Sequence, residues 1–229
     1  MPSASFWPAR ASPSEPLDGV TATGPPASSL VPAEPTLDRL RAAASGCQAC
    51  ELWELGTQTV FGDGPSRARV LMVGEQPGDQ EDRQGQPFVG PAGRLLDEAL
   101  EAAGIVREDV YVTNAVKHFR WEARGKRRIH KKPSVEHVDA CRPWLEAEIA
   151  TVRPEVVVCL GATAAQALLG RSFRVSRQRG ELIRRDDGTT ITATVHPSSI
   201  LRMPDTRAQE MEAFVADLRA VAELLQESR

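Results

Sequence analysis

Three short apolar runs, rich in β-branched residues and separated by stretches of helical periodicity, constrain this chain more than any other feature. Ala68–Val73, Val110–Val116 and Glu155–Leu160 read as buried strands. Between the first two, Pro91–Ala103 reads as a helix, with Pro at its first position and Gly104 just past its end. Thr36 caps a shorter helix over Leu37–Ser45, and small residues build another over Ala162–Leu169. Ser134 starts a helix that Pro143 is expected to break or restart near Cys141. Glu181–Arg185 and Thr189–Val195 predict a hairpin turned at Asp187–Gly188. Met211, Phe214, Val215, Leu218, Val221 and Leu225 give a last helix, about Asp205–Gln226, its apolar face. Strands alternating with helices predict an α/β fold of three layers, α/β/α, around a central, largely parallel sheet. Ligands of such sheets bind at the carboxyl ends of the strands.

The first 35 of the 229 residues hold eight of the 17 prolines. With few apolar residues to offset the entropy of ordering, residues 1–35 predict a disordered Pro/Ala/Ser-rich tail and 36–229 a single domain. No apolar run approaches the ~18 residues of a membrane span, and no basic-then-apolar leader opens the chain. A cytoplasmic, monomeric protein with no membrane partner is expected. The net charge of −3 advertises no nucleic-acid partner globally, so any such partner must be read from a local patch. Four cysteines in a reducing compartment point to metal or catalysis rather than disulfides.

Four stretches could carry chemistry. Cys47 and Cys50 are separated by two residues, close enough to grip one metal centre, and the distant Cys141 and Cys159 could complete a four-ligand site. Spacing alone leaves zinc and iron–sulfur open, and Cys159 within Val156–Leu160 also fits a plain core cysteine. The loop from Gly74 through Glu75, Gln76 and Asp79 to Phe88 and Gly90 leaves a strand end, where Glu75 and Asp79 would face a cleft. It lacks the glycine spacings of a phosphate cradle, and its carboxylates suit stabilising positive charge or directing a nucleophile. In the 17 residues Lys117–Pro133, eight Lys and Arg, among them Lys126, Arg127 and Arg128, face only Glu122. Phe119, Trp121 and His130 lie among them, a composition suited to a phosphate backbone and stacked bases, although a solvated charged loop reads the same way. His196-Pro197-Ser198 places a histidine on a strand-to-loop corner, where it can donate to a developing anion or cap the next turn.

Together these motifs resemble the family-4 uracil-DNA glycosylases, the iron–sulfur branch of that superfamily. The resemblance runs from about Gly46 to Met203. It rests on the paired early cysteines, Gly74–Gly78 with Pro87–Gly93, Thr113–Lys117, Ala140–Leu145, Cys159–Gly161 and His196-Pro197. Gln76 inside the first motif, and the Lys126–His130 segment KRRIH, depart from ordinary members and are similar to an X-type subgroup. There a loop histidine attacks the sugar and stays joined to DNA.

The resemblance implies a [4Fe-4S] cluster on Cys47, Cys50, Cys141 and Cys159, and uracil-containing DNA, single strands favoured, as the partner. It implies that Phe88 stacks on a flipped uracil and Asn114 reads its polar edge, with Gln76 and Asp79 also at the substrate. His196 would donate to O2 and Glu75 would act around C1′. His130 would outcompete water at C1′ as a held nucleophile and leave a covalent adduct. Lys126, Arg127 and Arg128 would contact DNA. Two other readings remain open: a family-4 enzyme that releases an abasic site and turns over, and a non-catalytic iron–sulfur DNA-binding module.

Overall fold

The computed structural model describes residues 24–227. In chain order they form α1 (Ala27–Leu30), α2 (Leu37–Ala44), α3 (Leu52–Leu55), β1 (Val70–Gly74), α4 (Asp79–Gln84), α5 (Pro91–Ala103), β2 (Val110–Asn114), β3 (Trp121–Arg124), β4 (Arg127–His130) and α6 (Val135–Val152). There follow β5 (Val156–Leu160), α7 (Ala162–Leu169), α8 (Val175–Gln178), β6 (Ile183–Arg184), β7 (Thr190–Thr194), α9 (Pro197–Leu201) and α10 (Arg207–Glu227). The main sheet has the order β2-β1-β5-β7-β6, parallel throughout except for the edge strand β6.

The period-two geometry of strands sorts the apolar runs onto two faces. Val70, Met72, Val110, Val112, Val156 and Val158 pack against Leu95, Leu96 and Leu100 of α5 and Phe214, Leu218 and Val221 of α10. Leu71, Val73, Tyr111, Val157, Ile191 and Ala193 pack on the other side, with Leu40 of α2 and Trp144 and Leu145 of α6. A sheet covered on both faces needs apolar residues at every position, which is why its strands read as unbroken hydrophobic runs. The three-layer α/β/α arrangement is the expected one. Among the described residues no helix is long and apolar enough to cross a membrane.

Several local expectations need correction. Residues 24–35, grouped with the tail by composition, include α1, whose Ala27 is buried and whose Leu30 packs on the core together with Val31. Averaging over 35 residues hid this short apolar cluster; the rest of the tail lies outside the described residues. Pro143 does not break α6. The proline forgoes an amide bond and costs about 3 kcal/mol in a helix interior. The same turn buries Cys141, Trp144 and Leu145, whose burial outweighs that cost. The basic stretch expected as a loop contains the β3–β4 hairpin, with Trp121 opposite His130 and Gly125 at positive φ in its two-residue turn.

Candidate active site

The carboxyl ends of β1, β2, β5 and β7 bring Glu75, Asn114, Thr163 and His196 to one edge of the sheet. Gly74 makes the approach possible. A Cβ there would lie 2.3 Å from Asn114 Oδ1 and 2.8 Å from Phe88 Cζ, so only glycine lets the amide and the ring close over the end of β1. Phe88 is held at φ +57°, a left-handed conformation costing about 1–2 kcal/mol in a non-glycine residue. Gly93 accommodates it, because any side chain there would overlap the Phe88 carbonyl. Asn114 is buried, and its main-chain carbonyl accepts from Lys117 Nζ at 2.8 Å. That ammonium is itself fully buried against Glu148, which also accepts from Tyr111 Oη at 2.9 Å. An aromatic face beside a buried amide forms a slot for a planar ring with a donor and an acceptor on one edge.

His196 closes this slot, its ring stacked 6.1 Å from Phe88. Nδ1 accepts from the Ser198 backbone N–H at 3.1 Å and lies 2.9 Å from Ser198 Oγ. A ring nitrogen that accepts an amide proton carries none itself, so the neutral ring bears its proton on Nε2. Desolvation pushes the His196 pKa down to about 4, and the charges of Arg202 and His130 push the same way. The ring is therefore a neutral Nε2–H donor.

Glu75 connects this slot to the hairpin. One carboxylate oxygen accepts from the Thr163 hydroxyl, and the other lies 3.6 Å from His130 Nε2. His130 ends β4 with its ring tilted against Phe119, centroids 6.0 Å apart. Burial and the nearby Arg202 hold its pKa below the ordinary imidazole value, while Glu75 opposes them. His130 and Glu75, paired by resemblance, do come together.

Three residues expected at the substrate or the DNA have other employment. The Gln76 amide is committed to the hairpin main chain: Nε2 donates to the carbonyls of Arg120 (3.1 Å) and Lys131 (3.0 Å), and Oε1 accepts from the Arg120 N–H (3.1 Å). Arg128 turns inward, where its guanidinium binds Asp79 and, at 2.6 Å, the fully buried Asp82. It lies 5.4 and 5.5 Å from the ring centroids of Phe119 and Trp121. Asp79 is held by both Arg128 and Arg83; desolvation works against its ionisation, yet the two guanidiniums keep its pKa below the usual carboxylate range. These side chains fasten the hairpin to α4 and the loop before it: the Gln76 amide is spent on main-chain bonds, Asp79 is paired with two guanidiniums, and Arg128 is largely shielded from solvent. Lys126 and Arg127 are exposed and, among the described residues, have no carboxylate partner. Sequence reasoning passed over Thr163, although its position just past the end of the third apolar strand was a signal.

The cysteines divide. Cys141 is buried, accepts from the Lys117 N–H at 3.2 Å, and is close enough to feel both Cys47 and Cys50. Trp144 Nε1 donates to Cys47 Sγ at 3.3 Å. Burial pushes the Cys50 thiol up to about 11. Cys159 stands apart, in register with Val73 and Ala193 in mid-sheet, and desolvation alone raises its pKa. That position suits a core cysteine, and all four thiols share one buried apolar cluster. Among the described residues, no three metal-binding side chains converge tightly enough to hold one ion. A cavity of about 770 Å³, lined in part by Arg41, Arg67, Arg69 and Arg153, lies at the opposite, amino-terminal edge of β1 and β5.

The family model described as the uracil DNA glycosylase superfamily matches residues 61–219. The chain belongs to that superfamily. It is 34% identical to a type-4 uracil-DNA glycosylase of Archaeoglobus fulgidus over 196 residues, covering 82% of this chain and 93% of the relative. A type-4 uracil-DNA glycosylase of Thermotoga maritima is 38% identical over 172 residues, covering 75% and 84%. A type-5 enzyme of Pyrobaculum aerophilum is 30% identical over 183 residues, covering 72% and 77%. The superfamily match spans every slot residue from Gly74 to His196, and the paired Cys47 and Cys50 lie ahead of it.

Proposed function

We propose that this protein excises uracil from DNA and finishes the reaction joined to the sugar C1′ through His130. The similarity to type-4 glycosylases supports excision. The observation that carries the second half is His130 Nε2, 3.6 Å from the Glu75 carboxylate, on a hairpin fastened by Gln76 and Arg128. An ordinary hydrolase needs water at that point.

Uracil taken from a single strand or flipped from a duplex enters the slot, with Phe88 against its face and Asn114 on its edge. As the C1′–N1 bond breaks, its electron pair leaves with uracil, and the neutral His196 Nε2–H donates to the developing charge on O2. C1′ becomes cationic, and the Glu75 carboxylate stabilises it. The lone pair on His130 Nε2 forms the new bond to C1′. The imidazolium so produced loses its Nδ1 proton to solvent, and the uracil anion gains one, so the proton count balances. A held nucleophile of this kind has an effective molarity of up to ~10⁵–10⁸ M, which water cannot match. Lys126 and Arg127 would contact the flanking phosphates.

The chemistry of the thiol set fits a [4Fe-4S] cluster in part. Cys47, Cys50 and Cys141 would hold it, and a four-iron cluster spans a wider polyhedron than one ion. The N–H donors of Lys117 and Trp144 on two of the sulfurs suit bound thiolates. The buried His118 joins this group only indirectly, through a chain of hydrogen bonds. Its Nε2 lies 2.9 Å from Thr59 Oγ1, and that hydroxyl donates to the Ala44 carbonyl, which also accepts from Cys47 N–H. The cluster would tie the start of the domain to α6.

The test is incubation with uracil-containing single-stranded DNA followed by a denaturing gel. A shifted, denaturant-resistant band is expected, and His130→Ser should replace it with free abasic DNA. Untouched DNA would refute the excision reading; abasic DNA from the wild type would refute the adduct.

A further inference from the structure

The two oxygens of Glu75 are used differently. Oε1 faces His130 Nε2 and Oε2 accepts the Thr163 hydroxyl proton. Thr163 comes from the first turn of α7, the helix that follows β5, the strand next to β1, and is 7% exposed. A threonine there usually serves its own helix. The first turn of α7 has no side-chain cap, and the Thr163 hydroxyl instead reaches a carboxylate 88 residues away in sequence. A glutamate carries three side-chain torsions, and Glu75 lies at the mouth of the slot, 23% exposed. Fastened at Oε2, its free oxygen is directed at the reacting side of the slot. Unfastened, it can rotate toward solvent or toward the charge of Arg202.

We infer that Thr163 is a positioning residue for the excision step: its hydroxyl fixes Glu75 so that one carboxylate oxygen faces His130 and the sugar. This rests on the reading that Glu75 acts at C1′. Thr163 touches no substrate, so its contribution appears in the rate of the chemical step and not in DNA affinity.

The experiment is a double-mutant cycle on the full-length protein, with single-turnover excision from uracil-containing single-stranded DNA. Thr163→Val keeps the shape and removes the donor, Thr163→Ser keeps the donor, and Glu75→Gln removes the charge. Thr163→Val should slow excision about tenfold, as loss of a hydrogen bond to a charged group does, with the half-saturating DNA concentration unchanged. Thr163→Ser should stay within about twofold of wild type, and Glu75→Gln/Thr163→Val should be no slower than Glu75→Gln alone. Thr163→Ala repeats the measurement should the valine variant lower the melting temperature. Full activity of Thr163→Val, multiplying losses in the double variant, or a change confined to DNA affinity would each overturn the assignment. If Glu75→Gln itself runs at the wild-type rate, the role of Glu75 at C1′ fails, and this inference with it.

Discussion

Arg128→Ala should detach the histidine without dismantling the slot. The β3–β4 hairpin is two strands of four residues joined to no other strand, an arrangement marginal in water by itself. Its docking depends on side-chain anchors, and Arg128 is the largest. The guanidinium binds Asp82, which has no exposed side-chain surface, and it also binds Asp79 and, at 3.1 Å, Thr57 Oγ1. Removing one partner of a buried ion pair costs about 3–5 kcal/mol. The low end applies because Arg128 lies near the surface and Thr57 N–H still donates to Asp82 at 2.8 Å. Asp79 adds little, being 42% exposed and still paired with Arg83. A loss of about 3 kcal/mol lowers the docking equilibrium constant roughly a hundredfold, and the docked fraction of a hairpin marginal without this clamp falls by nearly that factor when it opens locally rather than with the whole domain.

Adduct formation in Arg128→Ala should therefore slow by about two orders of magnitude. Excision should continue, because Glu75, Asn114, Phe88 and His196 stand on the main sheet and its loops. The assay follows the covalent band and the abasic product side by side under single-turnover conditions, with the melting temperature recorded. An adduct rate within about threefold of wild type would show that the hairpin does not depend on this clamp. Loss of both products together with a large fall in melting temperature would show that the energy belongs to the whole fold.

Other expectations follow from the same geometry. Neutralising Lys126 and Arg127 together should flatten the slope of log affinity against log salt by about two, while Arg128→Ala should leave that slope unchanged, because its charge is already matched by carboxylates. Adduct formation should hold level through neutral pH and fall only below the ordinary imidazole value of about 6.5, since a lowered pKa keeps His130 neutral to more acid pH; a rate that rises on acidification would refute the neutral nucleophile. Excision by His130→Ser should survive to still lower pH, because His196 protonates only near 4. Serine at Cys47, Cys50 or Cys141 should lower iron content, whereas Cys159→Ala should keep it; iron lost with Cys159 would restore that residue to the ligand set.

The main sheet was legible because β1, β2 and β5 are covered on both faces and so declare themselves as apolar runs. The hairpin was not. Its strands are polar, and what makes them order is Gln76 and Arg128, whose partners lie some 44–55 residues away in sequence. Composition correctly marked Lys117–Pro133 as cationic, but it could not tell a cation facing phosphate from one buried against Asp82. The anchoring role of Gln76 is illegible for a related reason: its partners are main-chain atoms, which no side-chain pattern reveals. Cysteine spacing identified the two-residue gap but could not separate a thiol on a helix from one inside a strand. The Gly125 turn and Gly85, ending α4 at positive φ, were local signals that the density of charge obscured.

These long-range anchors bear on the chemistry itself. In the proposed reaction the difference between releasing an abasic site and keeping the sugar lies in what stands across C1′ from the departing base. Glu75 serves either outcome, since a carboxylate stabilises the cation whether water or imidazole arrives next. The choice then falls to whatever holds the imidazole, and that is a glutamine amide and an arginine. Converting a turnover enzyme into one that keeps its product therefore requires a fastened hairpin as much as a histidine. An imidazole on a loose loop would lose its effective molarity and compete with water on equal terms. Gln76, Asp79, Asp82, Arg128 and His130 accordingly form one unit, and a histidine introduced without its clamp should yield mostly abasic product.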